Sequence, residues 1–566
     1  MDVDPLLWHL IEMSLAPIIA TALAVIWFAE RSVEHLKPAV ATLCFSTAVL
    51  LFVVTDLERA ILLSSILAAG ICGASRVKYN HSAIKLVATD LPLVFAGTVP
   101  FLLAQYPLAL AAVLAGSIAL ILAAVAVLLC VSGSPVSLEF QVLYLGIACV
   151  GVVAAYRASG AQAAFQRDAA LPRCFLSSFV ASLLNPLSWR QFGGLALSDI
   201  AKVPLPLMAA VPARSPDYPD IIIIQHESVF DPRIFGLPVE PVVESFLSPG
   251  NGLYGCLNVD IFGGGSWQSE FSLLTGLSSA SFGSNAYFLF KRGAGRFHSS
   301  LPKTLAALGY RTMLTSSCRR GFLNYDRFYR SIGISERLFT EDFQPPFDVN
   351  RFETTYSDAL FLDAALNAHM KDIADDGSPR FLYALTNFNH GPHSRNLVAP
   401  GQFEDERAFA AASLPDAHYA EYYARLAETA VTWKKLKSEL SCRFPKRPTL
   451  IVHYGDHQPV MTRRIERKLK LDLDARRQFR TFYAMETLND SSNRIPCGRG
   501  SDLDIAFLGT VALQHAGLPL DEIFATRASL IEHCGGAYFA SASERKRRFH
   551  RTLVDLGMID VPPTVR

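Results

Sequence analysis

Within its first 160 residues the chain carries uncharged, apolar runs at 13–29, 38–55, 60–75, 107–132 and 140–156, and no other feature constrains its fold as strongly. A helix needs about 20 mostly apolar residues to cross the hydrocarbon core of a bilayer, with about 17 as a working minimum. Four of the runs meet or approach that length, and 60–75 falls slightly short. A further stretch, 86–105, holds Asp90 and two prolines and reads as either a sixth span or a re-entrant element. The first run has no basic segment before it and further spans follow, so no cleavable signal peptide is expected. Region 1–160 is therefore expected to be a polytopic α-helical membrane region of five or six spans.

Orientation follows from the basic residues of the short loops. With six spans, Arg31, Lys37, Arg76, Lys78 and Lys85 share one side and only Arg59 lies on the other. The first side is then cytoplasmic, which puts the C-terminal domain on the outer side of the inner (cytoplasmic) membrane. Arg157, Arg167 and Arg173, after the last span, oppose that assignment.

The rest of the chain divides by composition. Residues 161–217 mix apolar clusters and Trp189 with Pro186, Pro204, Pro206, Pro212 and Pro216, and read as an interfacial segment followed by a linker. Residues 218–566 alternate strand and helix patterns, with strands at Ile221, Thr312, Phe381, Leu450 and Phe482 and a long helix from about Ala420 to Leu440. That order predicts an α/β domain whose largely parallel sheet is covered by helices on both faces. A net charge of +1 gives no nucleic-acid signature. Arg545, Lys546, Arg547, Arg548 and Arg551 form either a solvated helix face or a contact for anionic headgroups. In an oxidising compartment Cys174, Cys256, Cys318, Cys442, Cys497 and Cys534 could form up to three disulfides, with no pairing selected by the sequence.

Polar residues stand where the apolar strands end, which is where open α/β sheets bind ligands. Glu227 closes PDIIIIQHES, Asp456 and His457 close TLIVHYGDH, and Ser266 follows three glycines in GGGSWQSEF. Two carboxylates, an imidazole and a hydroxyl can gather around one divalent cation, which makes the hydroxyl a usable nucleophile. This constellation points to a metal-dependent enzyme that handles phosphate esters through a covalent intermediate. Taken singly, Ser266 could merely cap the following helix, Glu227 could cap a neighbour, and the Asp-His pair could be a loop hydrogen bond. His390 and His393, in TNFNHGPH after the strand FLYALT, are imidazoles that can hold a phosphate oxygen or protonate a leaving alkoxide. His390 lies nearer the strand end. His226, His298 and His453 are assigned to packing or surface roles.

The order of these motifs, with a Ser-Glu-Phe helix after Ser266 and Asn-His and Gly-Asp-His elements following later strands, resembles the lipoteichoic acid synthase and phosphoglycerol transferase branch of the sulfatase/alkaline phosphatase superfamily. The resemblance covers roughly residues 218–535, and the segment RVKYNHSAIKLVATDLPL, with Lys78, Lys85 and Asp90, is similar to that branch's membrane region. It implies that Ser266 is the nucleophile, that Glu227, Ser266, Asp456 and His457 bind one metal ion, and that His390 meets the substrate phosphate. Three oxygen donors and one imidazole favour Mn²⁺ or Mg²⁺, and Zn²⁺ also accepts such a set. The implied reaction moves a phosphoglycerol-type headgroup from a phospholipid donor to a periplasmic glycan or glycolipid. Where the family carries Trp-Asn-Arg, this chain has Leu323, Asn324 and Tyr325. Arg319 or Arg320 either supplies the missing charge beside Asn324 or is a solvated surface residue. A phosphoethanolamine transferase and a non-catalytic, membrane-anchored assembly protein are the alternatives. A sulfatase nucleophile motif is not met, because Cys442 is followed by a proline one place late.

Overall fold

The protein, seen here as a computed structural model, is described over residues 19–82, 85–90, 107–158, 173–184, 195–214, 218–343, 356–371, 377–490, 495–538 and 543–561, apart from isolated positions within these stretches. Two compact units divide the chain, Met1–Gly193 and Gly194–Arg566.

In the first unit, among the described residues, four helices are long and apolar enough to cross a membrane: α1 (Val33–Val54), α2 (Leu57–Ser82), α3 (Pro107–Cys130) and α4 (Leu138–Ala158). The run expected to be short, 60–75, lies inside α2, whose 26 residues gain length from polar flanks. On α3 the side chains of Leu114, Ile118, Leu122 and Leu129 are exposed, a continuous apolar surface that lipid solvates and water does not. Of the run 13–29, residues 19, 20 and 22–28 are described and are helical, while most of the 86–105 element lies outside the described residues. Helix α5 (Phe175–Leu184) falls in the stretch expected to be interfacial. Its Leu176 and Val180 pack with Ala22, Ile26, Ala39 and Leu43, and Glu30 accepts hydrogen bonds from the Leu176 and Ser177 amides at its start. Lys78 and Asp90 form an ion pair at 2.7 Å.

The second unit is built on one mixed sheet. Its strands are β1 (Asp220–His226), β2 (Leu253–Asn258), β3 (Arg311–Ser316), β4 (Glu336–Leu338), β5 (Arg380–Leu385), β6 (Thr449–Gly455), β7 (Arg480–Leu488), β8 (Gly498–Arg499) and β9 (Leu503–Asp504). The order is β4-β3-β5-β1-β6-β7-β2-β8, with β9 also paired to β2. From β4 to β6 all pairs are parallel, while β7 runs antiparallel to both β6 and β2.

Alternation along the central strands assigns the two faces. Ile221, Ile223, Phe381, Tyr383, Leu450 and Val452 share one core with helix α6 (Trp267–Thr275), α9 (Ile505–His515) and α10 (Glu522–Cys534). Ile222, Ile224, Leu382, Ala384 and Ile451 pack on the other face against α7 (Asp358–Met370) and α8 (Ala417–Arg443). Because both faces are covered, β1, β5 and β6 are buried along their whole length and read as continuous apolar runs.

Within the proline-rich stretch expected to be a linker, Ala201, Leu205 and Val211 bond to the folded unit. Ala201 N–H donates to Arg547 O, Leu205 N–H to the Thr552 hydroxyl, and Val211 pairs with Leu520. Prolines exclude helix there, yet an extended strap can still exchange backbone hydrogen bonds with α11 (Glu544–Asp555). The basic residues of α11 are committed locally: Lys546 is buried and donates to Tyr538 O, Arg547 pairs with Glu544, Arg551 with Asp555, and Arg548 donates to Pro204 O. All ten cysteines are free thiols.

Candidate metal and nucleophile site

Two adjacent parallel strands, β1 and β6, bring Glu227, Asp456 and His457 together where they end at the carboxyl edge of the sheet. One ligand atom from each lies within 4.8 Å of the others, and all three residues are buried. Gly455, before Asp456, is required by close approach, since a Cβ there would stand 1.8 Å from the Val229 carbonyl oxygen. The turn after β1 is held by Ser228, with φ +58°.

Asp456 is oriented by its backbone neighbours. Its Oδ1 accepts from Ser228 N–H and His457 N–H, both at 2.7 Å. Its Oδ2 is buried and has no hydrogen-bond partner among the described residues. A buried carboxylate oxygen without a donor is costly unless a cation meets it, so this donor set fits a divalent ion. The His457 Nδ1 donates to Gln458 O at 3.1 Å, and its Nε2, 3.2 Å from Glu227 Oε1, donates to that carboxylate when the ring is protonated and offers a lone pair to a cation when it is neutral.

Ser266 joins this group. Its hydroxyl donates to Glu227 Oε2 at 2.6 Å and lies 3.4 Å from His457 Nε2. It makes no capping hydrogen bond to α6, so the helix-cap alternative does not describe it. The glycine turn before it, with positive φ at Gly263, Gly264 and Gly265, is fixed by Gly263 N–H donating to Gln458 O. Ser269, one turn into α6, donates to Asp456 O at 2.7 Å and ties the helix to the metal-ligand turn.

Electrostatics within the cluster are strongly coupled. Burial favours protonation of Glu227, but the His457 imidazolium, with His390 and the Ser266 hydroxyl, holds it below the ordinary carboxylate range. Burial and then the Glu227 charge push Asp456 well above its ordinary value. Burial opposes the charged form of His457, yet Asp456 and Glu227 outweigh it and raise the imidazole to about 9. A proton on His457 thus stands where a metal charge would otherwise balance the carboxylates. Binding Mn²⁺ at about pH 7.5 is expected to release protons from the ligand cluster, seen by calorimetry in buffers of different ionisation enthalpy. Apparent affinity should rise with pH, because His457 and Asp456, both raised by the cluster, must be deprotonated to bind the ion. Below the site, His226 and His453 are fully buried among Phe246, Trp433 and Phe482, and burial lowers His226 to about 3, so this floor is uncharged.

Other expected site residues have different surroundings. His390 is half-buried, and its Nδ1 donates to Gly391 O at 2.7 Å. His393 bonds to Asn389 O at 3.0 Å and packs edge-on against Tyr422, and burial lowers it to about 3. Arg320 sits between Asp326 and Asp342 and over the Phe339 ring. Arg319 lies 3.5 Å from Glu341. Both guanidiniums face carboxylates, Arg320 those of Asp326 and Asp342 and Arg319 that of Glu341. Asn324 donates to Phe290 O at 2.9 Å.

Sequence reasoning missed the network behind Ser266. Glu270 accepts from Tyr329, from Tyr325 at 3.3 Å and from Gln225 at 3.3 Å, and Gln225 accepts from Tyr383 at 3.0 Å and from Tyr454. The one available signal was the i, i+4 spacing of Ser266 and Glu270 on α6. Burial raises Glu270 to about 7, with the Glu227 charge adding to it. The unfolded chain loses this proton near pH 4.5 while the folded protein keeps it to about 7, so stability falls as pH rises through that window. The term is about 3 kcal/mol above pH 7. Glu270→Gln should therefore lose less thermal stability than the wild type between pH 5 and pH 8 in parallel melts.

Residues 219–483 match the Sulfatase family model. A curated Haemophilus influenzae protein described as uncharacterized is 26% identical over 314 residues, 54% of this chain and 55% of its own length, so the chain spans about half the length of the curated relative it matches. Among solved structures, the integral membrane lipooligosaccharide phosphoethanolamine transferase A of Neisseria meningitidis aligns with a TM-score of 0.50 at 11% identity, over 87% of this chain and 95% of that one. A Streptococcus pyogenes phosphoglycerol transferase in complex with sn-glycerol-1-phosphate aligns at 0.45 and 16% identity, over 60% and 85%. The architecture, apolar helices followed by an α/β domain with a mostly parallel mixed sheet, is similar in fold to that of the Neisseria membrane enzyme.

Proposed function

We propose, on the premise that residues 219–483 form a sulfatase-family domain in a membrane protein, that the chain moves a phosphorylated headgroup from a phospholipid to an acceptor hydroxyl on a cell-envelope glycan or glycolipid. The observation that carries this reading is the Ser266 hydroxyl, 2.6 Å from Glu227 and beside the Glu227, Asp456 and His457 cluster. Ser266 is the nucleophile and forms a phosphoserine ester as the diacylglycerol oxygen leaves. Glu227, Asp456, His457 and Ser266 would hold the divalent ion, Mn²⁺ or Mg²⁺ by donor type and Zn²⁺ as the third choice. When bound, such an ion lowers the proton affinity of the serine hydroxyl and offsets charge on phosphate oxygens.

His390 supplies the proton chemistry. With Nδ1–H given to Gly391 O, the neutral ring offers Nε2 as a lone pair and the protonated ring offers Nε2–H. In the first half-reaction Ser266 passes its hydroxyl proton along its hydrogen bond to Glu227 as its oxygen attacks phosphorus, and the His390 imidazolium protonates the departing diacylglycerol oxygen. In the second, the neutral ring takes the proton of the acceptor hydroxyl as it attacks phosphorus, and the departing Ser266 oxygen recovers its proton from Glu227, so both groups end as they began. The positive dipole end of α6 adds stabilisation at the reacting phosphate.

The headgroup is a phosphoglycerol type in the principal reading. The likeness to the Neisseria phosphoethanolamine transferase along both units favours a phosphoethanolamine headgroup as the second. The domain acts outside the cytoplasm, on the side given by the positive-inside rule. The reading is tested with full-length protein in vesicles containing phosphatidylglycerol or phosphatidylethanolamine. Metal-dependent release of diacylglycerol from one lipid supports it and selects the headgroup. Release from neither, in metal-loaded protein, rules it out.

A further inference from the structure

We infer that Arg425 is a positioning residue for His390, acting by holding the backbone of the loop at 388–398 in one shape; this rests on the proton-transfer role proposed for His390. Arg425 lies on α8, is fully buried, and carries its charge into a region where only excellent hydrogen bonding makes burial tolerable. Its Nη1 donates to His390 O at 2.9 Å and to Phe388 O at 3.3 Å, its Nη2 donates to Arg395 O, and its Nε pairs with Glu421 at 2.9 Å. Three carbonyls of one loop thus converge on a single planar fork, a geometry that guanidinium provides and an ammonium does not.

The neighbouring turns of α8 extend the same arrangement. One turn earlier, Glu421 accepts from Leu397 N–H at 2.8 Å and Val398 N–H at 3.4 Å, and Arg407 pairs with its other oxygen. One turn later, Thr429 accepts from the Asn389 side chain at 2.9 Å and donates to Asp358 at 2.7 Å. Residues 421, 425 and 429 form a buried polar stripe at i, i+4 and i+8 on a helix whose remaining buried face is largely apolar. The consequence reaches the imidazole directly. Arg425 fixes the His390 carbonyl, and the next carbonyl, Gly391 O, accepts from His390 Nδ1 and sets the ring's tautomer and direction. A simple core role would be met by any apolar residue of similar volume and would not need His390 itself as an acceptor.

The test compares Arg425→Met and Arg425→Lys, each with and without His390→Ala, in full-length protein. Diacylglycerol release is followed by steady-state kinetics, and hydrogen exchange over 388–398 by mass spectrometry. A displacement of His390 by about 1 Å is expected to lower kcat about 100-fold with KM little changed. Arg425→Lys should recover little of this, because charge without the fork does not hold three carbonyls. In the His390→Ala background the Arg425 substitutions should lower kcat less than about twofold, since their effect passes through a side chain already removed. Amides at 388–398 should exchange faster in both single variants, while those of β1 and β6 stay protected. Full activity in either single variant, or an undiminished 100-fold loss in the His390→Ala background, overturns the inference. If the wild type releases no diacylglycerol, the proposed function fails separately, and exchange at 388–398 that is unchanged by Arg425→Met overturns the positioning claim by itself.

Discussion

Alanine at position 266 is expected to abolish headgroup transfer, with kcat/KM lowered by about 10⁴-fold or more. The substitution removes the oxygen on which the phosphoester forms while leaving Glu227, Asp456 and His457 in place, and Ser266 contributes no cap whose loss would unwind α6. Folding and thermal stability should therefore stay close to wild type, and divalent-ion binding should weaken without disappearing. Ser266→Thr keeps a hydroxyl at the same turn and should retain part of the activity. Diacylglycerol release from vesicles, measured beside melting curves, separates loss of chemistry from loss of fold. Substantial turnover in the alanine variant would mean that the transferred group does not pass through this serine.

The second large effect is expected from the smallest substitution. Gly455→Ala adds one methyl group where a Cβ would lie 1.8 Å from Val229 O and 2.8 Å from its carbonyl carbon. These are backbone atoms, fixed on the β1 side by Phe230 N–H donating to Tyr422 at 3.0 Å, so they cannot swing aside as a side-chain tip would. Either β6 separates from the Glu227 turn or the turn shifts, and in both cases the Asp456 bonds to Ser228 and His457 N–H are disturbed. The expected cost is about 3 kcal/mol, at the upper end for overpacking, together with a marked loss of divalent-ion affinity. Gly250→Ala, where a Cβ meets nothing within 4 Å, is the control and should change stability by less than about 0.5 kcal/mol. Thermal melts with and without Mn²⁺ measure both quantities.

The central strands were legible because burial on both faces leaves no alternation to decode: four consecutive isoleucines in β1 and the run TLIVHYG in β6 have no other stable home in an α/β domain. Strand β2, LYGCLN, was not legible, since it contains a glycine, is only partly buried, and is defined by antiparallel pairing to β7 across more than 200 residues. Strands β4, β8 and β9 are two or three residues long and exist through their partners. The antiparallel direction of β7 was hidden for the same reason.

At the site, Glu227, Ser266, Asp456 and His457 could be found because each follows a strand or glycine turn at the sheet's carboxyl edge. The surroundings of Arg319, Arg320 and His393 were not legible, because their partners, Glu341, Asp342, Asp326 and the Asn389 carbonyl, are chosen by tertiary approach and local loop shape that composition does not encode. The same holds for Arg425, which in sequence is one basic residue on a long helix and in the fold meets three carbonyls.

The central claim, a covalent phosphoester on Ser266, is tested most directly by the intact mass of the full-length protein after incubation with Mn²⁺ and phosphatidylglycerol or phosphatidylethanolamine. The account predicts an added mass of one phosphoglycerol or phosphoethanolamine group on the wild type, mapped to the peptide containing Ser266 and absent from Ser266→Ala. Diacylglycerol release by metal-loaded wild type with no such adduct on rapid quenching, or an equal adduct on the alanine variant, would contradict it.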